Sequence, residues 1–156
     1  LEDKEIKFII YFDGASKGNP GRAGAGVWIK NEEGEEIVRI SRYLGKKTNN
    51  QAEYLALLLG LREAKKRGSN SVHIFTDSEL IEKQIKGVYR VNDLGLKELY
   101  QKVIKSLKEF SSFRIEFIPR EENKEADFLA NQAIRKRILR EGRKGETQKG
   151  TDGRSS

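Results

Sequence analysis

Four carboxylates of this chain stand where an isolated charge is costly, and any fold it adopts has to satisfy them. Asp13 closes the apolar run Phe8-Ile9-Ile10-Tyr11-Phe12, and Glu53 is the only charge between Ala52 and Leu61. Asp77 ends Val72-His73-Ile74-Phe75-Thr76, and Asp127 lies inside the helical stretch Asn123 to Ala133. A carboxylate leaving water costs several kcal/mol unless it is paired or bound to a cation. One such placement is an accident; four indicate a shared cation site.

Composition narrows what that cation can be. The chain has no cysteine and a single histidine, His73, so thiolate sites and histidine-rich metal sites are excluded. Ligands limited to carboxylate oxygens point to Mg²⁺ or Mn²⁺. A net charge of +7 on 156 residues, with an acidic pocket inside it, suits a protein that handles a polyanion through bound cations. No apolar run approaches membrane-spanning length, so no membrane partner is expected and cytoplasmic residence is the expectation.

The hydrophobic period changes along the chain. Lys7 to Asp13, Ala23 to Lys30 and Glu36 to Leu44 alternate as strands, and their short links predict an antiparallel meander. Asn50 to Arg67 is a helix apolar on nearly every side, which predicts burial; Gly68 stops it. A strand over Val72 to Thr76, helices over Ser78 to Lys86 and Leu94 to Phe110, and a strand over Phe113 to Ile118 follow. Asn123 is placed to cap a last helix reaching about Arg140. The order β-β-β-α-β-α-α-β-α gives one α/β domain over residues 1–140, and the apolar-poor stretch 141–156 is expected to be a disordered polar tail. Alternation puts Ile9, Tyr11 and Asp13 on one face and His73, Phe75 and Asp77 on one face of the fourth strand. Side by side and parallel, those strands bring Asp13 and Asp77 together at their ends, where open α/β sheets bind ligands.

Five stretches then resemble type 1 ribonuclease H. They are Tyr11-Phe12-Asp13-Gly14-Ala15-Ser16, Gly18-Asn19-Pro20-Gly21, Thr48-Asn49-Asn50-Gln51-Ala52-Glu53, Phe75-Thr76-Asp77-Ser78 and Asn123-Lys124-Glu125-Ala126-Asp127-Phe128-Leu129-Ala130, in family order. The resemblance implies a ribonuclease H-like fold, a five-stranded mixed sheet in the order 3-2-1-4-5 flanked by helices. It also implies hydrolysis of the RNA strand of RNA–DNA hybrids by two Mg²⁺ ions about 4 Å apart, with Mn²⁺ as a substitute. Products would carry 5′-phosphate and 3′-hydroxyl ends. By the same resemblance Asp13 bridges both ions, Asp127 holds the one that activates water, and Asp77 and Glu53 hold the other. Glu53 is also placed to sense the 2′-hydroxyl that separates RNA from DNA. Gly14, Ser16, Gly18, Asn19, Thr48, Asn49, Asn50, Gln51 and Ser78 are the implied substrate contacts.

Two departures from the family accompany these matches. The loop before the last acid reads Pro119-Arg120-Glu121-Glu122-Asn123, without the histidine many bacterial members carry there. Arg120, Glu121 and Glu122 are its possible substitutes, whereas His73 reads as a packed strand residue. The stretch Lys86-Gly87-Val88-Tyr89-Arg90-Val91-Asn92 is short and mildly basic, as in archaeal-like and retroviral-type variants lacking the basic protrusion. A monomer is expected. Cleavage of double-stranded RNA or RNA–DNA junctions, or a non-catalytic hybrid-binding module, are the alternative readings.

Overall fold

The computed structural model describes residues 4–154, with side chains to residue 144. Strands β1 (Lys7–Ser16), β2 (Gly21–Asn31) and β3 (Glu36–Lys47) form the antiparallel meander. Helix α1 (Asn49–Lys66) then crosses to β4 (Ser71–Thr76), which runs parallel to β1. Helices α2 (Glu79–Ile85) and α3 (Leu94–Leu107) lead to β5 (Ser112–Phe117), parallel to β4. A 3₁₀ turn over Arg120–Glu122 precedes α4, which spans Lys124–Arg154. The strand order is 3-2-1-4-5, as expected.

Alternation along β1 explains the core. Phe8, Ile10 and Phe12 are buried on one face, together with Val72 and Ile74 of β4 and Val27 and Ile29 of β2. Tyr54, Leu57 and Leu61 of α1 fill the same cluster, with Leu96, Val103 and Leu107 of α3 behind them. Each fully buried Leu, Ile or Phe contributes roughly 1.5–3 kcal/mol relative to exposure. The nearly all-round apolar character of α1 follows from this position between sheet and α3. Thr48 and Gln51 close its first turn reciprocally, with Gln51 N donating to Thr48 Oγ1 at 3.2 Å and Thr48 N to Gln51 Oε1 at 2.9 Å.

Helix α4 covers the opposite face of β2. Its backbone comes so close that a Cβ on Gly26 would lie 2.0 Å from the Ala126 carbonyl oxygen, and one on Gly24 2.2 Å from that of Ala130. Glycine here is a contact surface for a helix, and the contact is what carries Asp127 to the sheet.

Several boundaries differ from the sequence reading. β1 continues three residues past Asp13 to Ser16, and β3 past Leu44 to Lys47, because each is laddered to β2 there: Gly14 faces Ala25, Ser16 faces Ala23, and Gly21 faces Lys47. α4 does not stop near Arg140. Glu141 receives an ion pair from Arg137 one turn earlier and another from Arg22 of β2, tying the helix to the sheet beyond the expected end. The backbone stays helical to Arg154, where a structureless tail was expected; residues 155–156 of that tail lie outside the described residues. Among the described residues no helix is long and apolar enough to cross a membrane.

Candidate active site

The ends of β1 and β4, the first turn of α1 and the first turn of α4 meet at one cleft of about 360 Å³. All four acids line it: Asp13, Glu53, Asp77 and Asp127. Asp13, Glu53 and Asp77 each offer an oxygen within 4.8 Å of the others. Asp127 stands beside them, close enough that its charge acts on Asp13. Gly14 allows this convergence, since a Cβ there would sit 2.2 Å from the Ala52 carbonyl carbon and 2.3 Å from the Glu53 nitrogen. Its role is the approach of α1 to β1, which sets Glu53 next to Asp13.

Burial and mutual repulsion dominate the electrostatics. Asp13 is 6% exposed and Glu53 5% exposed. Burial, reinforced by the charges of Asp77 and Asp127, pushes the Asp13 carboxyl up to about 7. Burial and the neighbouring Asp13 push Glu53 well above the usual carboxylate range. Asp77 is raised by burial, against the opposing influence of an Asn123 hydrogen bond and the Arg120 charge. Glu53 Oε2 is buried without a hydrogen-bond partner. Crowded carboxylates with an unsatisfied buried oxygen fit hard divalent cations, which take oxygen ligands and relieve like-charge repulsion.

The expected substrate contacts divide into two groups. Gly14, Ser16, Asn49 and Ser78 line the cleft. Ser16 Oγ donates to the Lys47 carbonyl at 2.8 Å and contacts the Gly18 carbonyl. Ser78 also caps α2, its Oγ accepting from Ile81 N at 3.2 Å. Gly18, Asn19, Thr48, Asn50 and Gln51 are not among the lining residues. Asn19 Oδ1 accepts from Asn49 N at 3.1 Å, so the Gly18–Gly21 loop is fastened to the start of α1. Thr48 and Gln51 have their side chains engaged in the helix cap described above.

Asn123 is a correction. Its side chain does not cap α4; it points inward, 1% exposed, with Nδ2 donating to the Phe12 carbonyl at 2.9 Å and to Asp77 Oδ2 at 3.1 Å. The amide thus joins the end of β1 to the acid at the end of β4. Four further residues line the cleft: Ala15, Lys17 and Asn131, which were not expected there, and Arg120, expected only as a substitute for the loop histidine. Asn131 Nδ2 donates to Asp127 at its carbonyl (2.9 Å) and its Oδ1 (3.3 Å), and Asn131 Oδ1 accepts from Lys17 Nζ at 3.0 Å. Asn123, Asp127 and Asn131 recur every four residues, one helical stripe, and that spacing was the available signal. Of the three residues left open in the preceding loop, Arg120 is the one in the cleft, whereas Glu122 acts on Tyr11. His73 packs in β4 against Phe75, ring centroids 4.4 Å apart, with Glu116 3.2 Å from Nε2.

Replacing Asn123 with Ala removes both donated bonds from a buried position. We expect about 1–3 kcal/mol of lost stability in urea unfolding. Asp77 also loses a bond that favours its ionised form, so the acid limb of any activity profile moves to higher pH. An unchanged limb would remove Asn123 from the site.

Fold and cleft together define a reverse-transcriptase-like domain of the ribonuclease H kind, and the family model described as "Reverse transcriptase-like" matches residues 11–133. The chain is 39% identical to ribonuclease HI of Halobacterium salinarum over 132 residues, which is 85% of this chain and 66% of that protein. The crystal structure of the RNase H1 from that archaeon superposes with a TM-score of 0.82 at 37% identity, over 83% of this chain and 98% of that one. LC11-RNase H1, isolated from compost and solved in complex with an RNA/DNA hybrid, matches with a TM-score of 0.80 at 41% identity, over 84% of this chain and 99% of that one. The chain belongs to the type 1 ribonuclease H family. It spans 66% of the length of the Halobacterium protein and 36% of the bifunctional protein Rv2228c of Mycobacterium tuberculosis, to which it is 35% identical over 130 residues (83% of this chain).

Proposed function

We propose that this chain is an endonuclease that hydrolyses the RNA strand of RNA–DNA hybrids, leaving 5′-phosphate and 3′-hydroxyl ends. The observation that carries the reading is the convergence of Asp13, Glu53 and Asp77 within 4.8 Å, with Asp127 in the same cleft. These acids would hold two Mg²⁺ ions, or Mn²⁺ in their place, which would supply positive charge against the scissile phosphate and activate water. Asp13, which neighbours the other three acids, would help hold both ions. Asn123 orients Asp77 and Asn131 orients Asp127, each by a hydrogen bond to the carboxylate. Lys17 and Arg120 add fixed positive charge at the cleft for the phosphodiester backbone. Ser16, Asn49 and Ser78 offer short polar groups to the duplex beside the acids. The hybrid-bound LC11 relative, which shares the fold across nearly its whole length, supports the substrate class.

The test incubates a labelled RNA–DNA hybrid with the protein and Mg²⁺ or chelator, with double-stranded RNA and a DNA–RNA junction in parallel. Metal-dependent cutting of the hybrid RNA strand is expected. A hybrid left intact under all metal conditions, while either other duplex is cut, would transfer the activity to that substrate. No cutting of any duplex would leave only hybrid binding.

A further inference from the structure

The two edges of the sheet are treated differently. β3 carries Arg39, Arg42, Lys46 and Lys47, and its pairing with β2 is broken by two register shifts. Such charges and irregularities keep an edge from recruiting another strand. Helix α4 also reaches it, through Ser41 Oγ to the Leu129 carbonyl at 2.6 Å and the Arg39–Glu125 ion pair at 2.5 Å.

β5 is less protected, carrying one charge of each sign, Arg114 and Glu116. Its register with β4 runs unbroken from Ser112 to Phe117, and it contains neither lysine nor proline. Among the described residues its other edge pairs with no strand. Phe113 and Phe117 are 44% and 50% exposed on either side of the buried Ile115. Two grooves flank Phe113, one lined by Ile85 and Ile115 together with Lys86, Arg114 and Glu116, the other mainly apolar and lined by Leu107 and Phe110.

The order of residues on that edge is self-complementary. In an antiparallel pairing that sets Ile115 opposite Ile115 of a second copy, Arg114 falls opposite Glu116 and Phe113 opposite Phe117. The two-fold axis repeats both pairings, so one register satisfies two ion pairs and two aromatic pairs. The Arg114–Glu116 pair within one strand, at 2.5 Å, is exchanged for an equivalent one across strands. The charges of the strand sum to zero, so identical edges do not repel.

We infer that β5 is a homodimerisation edge, through which two copies join their sheets antiparallel about Ile115, in place of the monomer the sequence suggested. The contact is a short strand pair with aromatic cover, so it forms a concentration-dependent dimer. Neither Arg114 nor Glu116 lines the acidic cleft, and the association stands apart from the hydrolytic reading.

Sedimentation velocity on the full chain from micromolar to millimolar concentration tests it. The mass is expected to rise from 17.8 kDa toward twice that value. Arg114→Glu sets like charges opposite each other at both positions, as does Glu116→Arg; each alone raises the dissociation constant roughly tenfold or more. An equimolar mixture of the two variants restores both pairings and associates. Thermal melts establish that each is folded, and Glu116→Lys replaces Glu116→Arg if the latter is not. A native chain that stays at 17.8 kDa throughout, variants that dimerise like the native chain, or a folded mixture that fails to associate, would each overturn the dimer.

Discussion

Asp13→Asn is expected to lower the rate of hybrid cleavage by about 10³-fold or more while leaving hybrid binding nearly intact. Removal of one preorganised charged or polar group at a reacting centre already costs on the order of 10²–10³ in rate. Asp13 is more than one such group, because its carboxylate neighbours Glu53, Asp77 and Asp127 at once. The substitution preserves size and removes the charge. The lysine, arginine and polar groups around the cleft are untouched, so the duplex still has its phosphate contacts. The result is read from single-turnover cleavage beside a binding titration in chelator, at fixed salt. Cleavage that survives would remove Asp13 from the catalytic set, and binding lost together with cleavage would assign it to holding the nucleic acid.

The acids were legible before any coordinates because each is anomalous where it stands. A carboxylate at the end of a β-rich apolar run, or alone in an apolar helix, has no local explanation, and the strand pairing needed to unite Asp13 with Asp77 follows from the connections between them. Tyr11 does lie opposite Phe75 in the parallel ladder, as that pairing requires. The supporting residues were hidden for the opposite reason. An asparagine before a helix is most simply a cap, and only the packing of α4 onto Gly24 and Gly26 turns Asn123 inward to Phe12 and Asp77. Composition likewise concealed the strand ends. Gly14-Ala15-Ser16 and Gly45-Lys46-Lys47 have weak β propensity, and β2 holds them extended by tertiary pairing. The substrate contacts taken from the resemblance lie between these cases. Thr48 and Gln51 sit near the cleft, but their hydrogen bonds already belong to the helix.

The metal-free protein is expected to lose stability as pH rises from about 4 to about 7, and divalent cations to restore it. Asp13 has an ordinary value of 3.8 and stands at about 7 in the folded protein, chiefly through burial. Between those values the folded chain keeps a proton that the unfolded chain has released. The folded state therefore binds more protons, and the slope of unfolding free energy with pH is negative. The contribution is fully present below 3.8 and gone above about 7. At about 1.36 kcal/mol for each unit of difference, the rise at Asp13 accounts for roughly 4 kcal/mol, shared with the acids beside it. Glu53 and Asp77 are raised as well and act in the same direction. For a domain of this size that is a fall in Tm on the order of 10 °C. Mg²⁺ binds the deprotonated acids, so its stabilisation grows with pH; a hundredfold excess over Kd contributes about 2.7 kcal/mol. Asp13→Asn isolates the effect, because it removes the titrating group: its metal-free melting curve flattens across this range and lies above that of the native chain at pH 8. Calorimetry of both proteins across the pH range, with Mg²⁺ and with chelator, makes the comparison. A native Tm that climbs with pH in chelator by the same amount as that of Asp13→Asn would show that the acids are ionised and comfortable without a cation, and the cleft would not be a metal centre.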